Sequence, residues 1–162
     1  MSKKVKKPSV SKLKETLDKL FSRYVRLAAV KWAQGNEYIC CCSCGQVGHW
    51  KGMHAGHFVT RNNNSTRYDE RNVHPQCPQC NLWDGGNPAG YARYLLGKYP
   101  QTTIKTLSNG EEVEWTILDE LDYVGHQTKR FTVEELQEMI ETYKNKLQCL
   151  VAPCVNISGK SK

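Results

Sequence analysis

The chain has 162 residues and 39% of them are apolar, enough for one domain with a modest core. No apolar run is long enough to cross a bilayer, and the lysine-rich start lacks the apolar stretch of a secretory leader. Membrane and disulfide-scaffold classes are thereby set aside, and the eight cysteines are expected to bind metal in a reducing compartment.

The formal net charge is +7 and unevenly spread. Residues 1–33 carry ten Lys or Arg against two acids, residues 34–100 six against four, and residues 101–162 seven against ten. A basic end of this kind suits a polyanion such as nucleic acid. For residues 1–7 a solvated lysine tail is the plain alternative.

Residues 1–10 read as a basic disordered arm and residues 11–35 as a basic amphipathic helix, with Ser9 or Ser11 as N-cap and Gly35 as its end. Leu13, Leu17, Leu20, Tyr24 and Leu27 form one stripe at helical spacing. It reads as core packing; the same spacing also fits a dimer seam. Lys12, Lys19, Arg23 and Arg26 fill other faces. With Arg61 and Arg67 they are the candidates for phosphate contact.

Residues 36–100 hold the chemistry. Cys41 and Cys44, then Cys77 and Cys80, form two C-x-x-C pairs closing a loop of about thirty residues. Two such pairs read as one tetrahedral zinc site. Cys40 and Cys42 read as small buried residues or weakly reactive thiols, although the spacing also allows a Cys42–Cys44 pair. Between the pairs, a strand within Trp50–Thr60 bears His54 and His57, whose odd spacing puts them on opposite faces. The polar turn at 62–65 and a second strand, to which Arg67–His74 leads on the way back to Cys77, complete a β-hairpin. Asn87-Pro88 opens a short helix with Tyr91, Tyr94 and Leu95 inward.

In residues 101–155, Asn109-Gly110 signals a second hairpin. Thr132 to Glu135 is a capping box stapled by Phe131 and Leu136, and it starts a C-terminal helix expected to pack on the core. Cys149 and Cys154 lack a second pair and read as non-ligands. Residues 156–162 read as a loose tail. The acidic 101–122 stretch either meets a partner protein or covers the core.

A four-thiolate zinc is coordinatively closed and cannot activate water, so any catalysis needs a second centre. His54, His57, His74, Asn81 and Asp84 are the candidates. A neutral histidine can deprotonate water for in-line attack while a hard cation stabilises the leaving oxygen.

The run CCSCG, HAGHF, RYDERNVHPQCPQCN and GN resembles the phage NinG or Rap recombination protein family. More broadly it is similar to the HNH, or ββα-metal, nucleases whose hairpin is tied by four zinc cysteines, phage endonuclease VII among them. The likeness covers Cys41 to Tyr94 and extends to Arg130–Gln148. It implies an α+β fold: a zinc-stapled ββα-metal core with flanking N-terminal and C-terminal helices. It implies structural zinc on Cys41, Cys44, Cys77 and Cys80, His57 as general base, Asn81 at a catalytic Mg2+ or Mn2+, and Asn72 tying the hairpin. The Asp that such nucleases place before the base is Gly56 here. His54 is the substitute candidate ligand and Asp84 a second.

The implied activity is metal-dependent, structure-selective cleavage of branched recombination DNA, Holliday junctions and D-loops, in the host cytoplasm at the nucleoid. A homodimer suits a reaction that needs two cuts. Phage or host recombination proteins are the other expected partners. A non-catalytic DNA-binding adaptor on the same scaffold and an HNH nuclease of plain duplex are the rival readings.

Overall fold

A computed structural model describes residues 8–32 and 36–151 of the chain. Residues 1–7 of the expected 1–10 arm, the cap at Gly35, Cys154 and the 156–162 tail lie outside the described residues, and Val10, placed in that arm, already begins a helix.

Helix α1 (Val10–Trp32) starts where Ser9 accepts the Lys12 N–H at 3.3 Å through its hydroxyl. Its innermost residues are Leu13, Leu17, Phe21 and Val25, with Leu20 and Tyr24 partly covered beside them. They meet Leu136, Ile140 and Tyr143 of the C-terminal helix α4 (Val133–Val151). Phe21 meets the Tyr143 ring edge-on, with centroids 5.0 Å apart at 77°. The stripe is therefore core, not a dimer seam, and it follows 4-4-4 spacing, which rotates it from Tyr24 toward Phe21 and Val25. Each such buried side chain contributes about 1.5–3 kcal/mol of apolar burial.

Among the described residues, three two-stranded antiparallel sheets make up the strand content. Strand β1 (Tyr38–Cys40) pairs with β2 (Val47–His49), and β3 (His54–His57) pairs with β4 (Val73–Gln76). Strands β5 (Thr103–Thr106) and β6 (Glu112–Trp115) flank the Asn109-Gly110 turn, with Gly110 at φ +84°. The β3 strand is shorter than the Trp50–Thr60 expectation. Trp50–Gly52 forms a 3-10 turn instead, capped by the His49 ring, which accepts from Lys51 N at 3.2 Å. The β3–β4 connection is a long loop of turns over 58–72.

Helix α2 (Pro88–Lys98) follows the second cysteine pair and buries Tyr91 and Leu95 against Cys42 and against Ile117 and Leu121 of α3 (Ile117–Gly125). Gly90 makes this approach feasible, since a Cβ there would sit 2.2 Å from the Ser43 carbonyl oxygen. Helix α3, and not the exposed β5–β6 hairpin, covers the core on this side. In α4 the capping box is reciprocal: Thr132 Oγ1 accepts from Glu135 N at 3.1 Å and Glu135 accepts from Thr132 N at 2.8 Å.

Leu17→Ala is expected to cost about 3 kcal/mol in urea unfolding, and Leu27→Ala, half-buried outside the central row, less than half of that. Equal costs would contradict this packing.

Candidate functional site

The two cysteine pairs lie on two tight turns that meet. In the first, β1 and β2 clasp the loop, Cys41 N donates to Gln46 O at 2.8 Å and Gly45 turns at φ +76°. In the second, Cys80 N donates to Cys77 Sγ at 3.4 Å and Asn81 N to Cys77 O at 3.0 Å. The four Sγ atoms of Cys41, Cys44, Cys77 and Cys80 lie within 4.8 Å of one another, and those of Cys44 and Cys77 are 3.8 Å apart. Four sulfurs placed tetrahedrally about 2.3 Å from one ion would be about 3.8 Å apart, so the cluster fits a metal such as zinc.

The thiols of the cluster differ in their surroundings. Burial pushes the Cys77 thiol up and the Cys80 thiol up to about 12. Burial also raises Cys41, but hydrogen bonds from the surrounding turns outweigh it and bring that thiol down to about 7. Buried thiols that resist ionisation become thiolates when a cation replaces their protons. Cys42 is not a ligand: it packs beside Tyr91, where burial lifts it to about 12. Cys40, unlike Cys42, is not buried: it is exposed on β1, because strand alternation turns Ile39 inward and Cys40 out.

Gly85, Gly86 and Asn87 take left-handed backbone conformations in succession, at φ +57°, +89° and +43°. Two glycines tolerate this freely and asparagine better than most. The turn places Asn87 between helix and cluster: its Oδ1 accepts from Gly90 N at 3.2 Å and its Nδ2 donates to Cys80 Sγ at 3.4 Å. Sequence reading finds the cap but not the sulfur bond, because that bond depends on the left-handed run. Gln76, fully buried, ties the same parts by donating to Ser43 Oγ at 2.7 Å and to the Gly86 carbonyl.

On the hairpin, His54 and His57 face opposite ways. His54 Nδ1 lies 3.0 Å from Asn81 Nδ2, so the residue after the last cysteine meets His54. His57 is not brought to Asn81; its Nε2 lies 3.0 Å from the Arg67 carbonyl. An amide nitrogen only donates, so His54 Nδ1 accepts this hydrogen bond, and the pair ties the turn after Cys80 to the hairpin. Asp84 does not join it, since its carboxylate accepts from Gln79 Nε2 at 2.9 Å. Asn72 is fully buried and bridges the loop, accepting from Val59 N at 2.7 Å and donating to Val59 O at 2.9 Å and Thr66 O at 3.1 Å. His74 is buried among Tyr91, Tyr94 and Tyr99, and burial drives its pKa down to about 3.

Burial holds the His57 ring below its ordinary value of 6.5; the bond to Arg67 O opposes this, and the Arg61 and Arg67 charges add to it. A carbonyl only accepts, so Nε2 carries the hydrogen and Nδ1 of the neutral ring keeps its lone pair.

Arg61 also lines a groove of about 800 Å³ between α1 and the Trp50–Gly52 turn, with Lys19, Arg23, Arg26, Trp50 and Lys51 on its walls. Its two acids are already engaged: Glu15 pairs with Lys19 at 2.6 Å and Asp18 with Arg67 at 2.6 Å. The expected phosphate contacts divide accordingly. Arg23 and Arg61 stand exposed on the groove, and Lys51 joins them unforeseen. Arg26 is committed to the Ser22, Met53 and Lys51 carbonyls and covers Trp50 at 5.7 Å. Arg67 is withdrawn from the groove: Asp18, Tyr68 and the Arg61 carbonyl occupy its guanidinium. Lys12 is exposed on α1 away from the groove lining.

Asn87→Ala is expected to speed metal transfer to a chromogenic chelator by about tenfold, because an orienting N–H on a ligand sulfur is lost. An unchanged transfer rate would show that this bond does not steady the cluster.

The profile of the family described as Bacteriophage Lambda NinG protein matches residues 1–152. Protein ninG of Escherichia phage 933W is 32% identical over 113 residues, which is 68% of this chain and 47% of that protein. Protein ninG of Escherichia phage lambda is 30% identical and that of Salmonella phage P22 31%, with the same shares covered. The chain thus spans about half the length of the curated relatives it matches. No solved structure matches it. By a family profile that runs over nearly its whole length, the chain belongs to the bacteriophage lambda NinG protein family.

Proposed function

We propose that this chain is a metal-dependent endonuclease of phage recombination, built on a zinc-tied ββα-metal hairpin and acting on branched DNA such as Holliday junctions and D-loops. The observation that carries the reading is His57: a neutral ring, its Nε2 bound to the Arg67 carbonyl, beside the arginine that lines the basic groove. Arg23, Lys51 and Arg61 hold phosphates in that groove without reading sequence. Nδ1 of His57 takes a proton from water as the water oxygen bonds to phosphorus. The opposite phosphorus–oxygen bond breaks and its oxygen takes a proton from solvent. His54 and Asn81 lie on the other face of the hairpin, so a divalent cation held by them would neutralise charge on a neighbouring phosphate and not on the one His57 faces. Two copies serve the two cuts that a four-way junction needs. Their contact lies elsewhere than the α1 stripe, which the core already occupies.

A second reading is favoured by one observation, the opposite facing of His57 and of the His54–Asn81 pair. It is a DNA-binding recombination adaptor on the same scaffold, without catalysis.

Nicking of a four-way junction with Mg2+, Mn2+ or EDTA separates the two. His57→Ala is expected to lower cleavage by about 10²–10⁴-fold and leave junction affinity within about twofold. Full activity in that variant removes the base assignment, and a wild type that binds junctions but cuts with no cation leaves the adaptor. The wild-type rate should rise with pH as His57 loses its proton, with a midpoint below 6.5 and a plateau through neutrality, because the base acts unprotonated. Salt raised from about 50 to 200 mM should weaken binding by about fortyfold if Arg23, Lys51 and Arg61 each displace a counterion. A flat response would contradict phosphate-led binding.

A further inference from the structure

The π-helical turn Gln79–Trp83 carries a feature that the hydrolytic reading leaves unused. Trp83 is 76% exposed and Leu82 59%, side by side, directly after Asn81. A tryptophan left in water costs apolar hydration and is ordinarily tucked against a neighbour. Its support here is stiff: Asp84 N donates to Gln79 O at 3.0 Å, Gly86 N to Cys80 O at 2.9 Å, and the Gln79 and Asp84 side chains are bonded at 2.9 Å. Cys80, a member of the four-sulfur cluster, lies inside the same turn.

We propose that Trp83, backed by Leu82, stacks on an unpaired or unstacked nucleobase at the branch point of DNA bound to this protein. The proposal rests on the DNA-binding reading of the basic groove. Two side chains make too small a patch for a protein partner, which needs about 800 Å² on each side. A flat aromatic face suits a base, because every base offers a π-face and stacking contributes about 1–3 kcal/mol. The chain connects Trp83 to the basic groove: Lys51 on the groove wall lies three residues before His54, His54 touches Asn81, two residues before Trp83, and the adjacent Asp84 carboxylate is held by Gln79. Backbone phosphates in the groove and a base on Trp83 bracket the His54–Asn81 pair. An intact duplex keeps its bases stacked and offers Trp83 nothing, so this contact favours branched and single-stranded ends over linear duplex.

The test compares a four-way junction and a linear duplex of equal phosphate number, in Ca2+ or EDTA to suppress cutting, with 2-aminopurine at the branch point. Trp83→Ala should lose about ten- to a hundredfold of junction affinity, keep linear-duplex affinity within twofold and abolish the change in 2-aminopurine fluorescence. Trp83→Phe should restore most of the preference, and metal content should be unchanged in both. If Trp83→Ala keeps the junction preference, or loses junction and duplex alike, the stacking role is overturned while DNA binding stands. If the wild type binds neither DNA, both fall together.

Discussion

Four sulfur atoms from two distant turns occupy the space of one tetrahedron, and the rest of the central region depends on that convergence. Each two-stranded sheet in this chain is too small to persist alone in water. The first sheet clasps the Cys41–Cys44 turn, and the β3–β4 hairpin hangs between that turn and the Cys77–Cys80 turn. Gln76 and Asn87 add hydrogen bonds that join the two turns to each other and to α2. A metal held there would close a loop of more than thirty residues and orient the groups just beyond the second turn: Asn81, Trp83 and the start of α2.

A second tie fixes the long loop of the hairpin. The Arg67 guanidinium meets Asp18 through two nitrogens, at 2.9 and 2.6 Å, and most of both side chains is shielded from solvent. Burial alone would raise the Asp18 pKa, but the bonds from Arg67 and Tyr68 outweigh it and hold the carboxyl below its ordinary value. Removing one partner of a well-buried pair costs about 3–5 kcal/mol, and this half-buried one less. Because the Arg67 carbonyl holds His57, a contact on α1 fixes the orientation of a ring on the hairpin. Glu70 plays a parallel part from the same loop, accepting from Tyr24 at 2.9 Å, Tyr143 at 3.1 Å and Lys146. Helix α1 thus has two functions: Leu17 and Phe21 build the core, and Arg23 on its open side faces the groove.

Features encoded by short-range spacing were legible in the sequence. The grouping of four cysteines that could hold one metal, the Ser9 and Thr132 caps, the Asn109-Gly110 turn and the opposite facing of His54 and His57 all follow from local periodicity or turn chemistry. What depends on long-range packing was not. Phe21 and Val25 outrank Leu20 and Tyr24 because α4 approaches from their side. Arg67 reads as a phosphate contact until Asp18, 49 positions earlier, engages it. Asn81 was expected to share a centre with His57, yet it meets His54, because the turn after Cys77 delivers it to the other side of the hairpin. Helix α3, unforeseen in the sequence, does carry a local signal, since Thr116 and Asp119 form its capping box and Ile117 and Leu121 lie at helical spacing; the role of those two shows only when α2 is in place.

X-ray absorption at the zinc edge, on protein purified without added metal, tests the central claim most directly. The account predicts one zinc per chain with four sulfur neighbours at about 2.3 Å and no nitrogen or oxygen in the inner shell. A shell containing histidine nitrogen, or a folded chain free of metal, would contradict it.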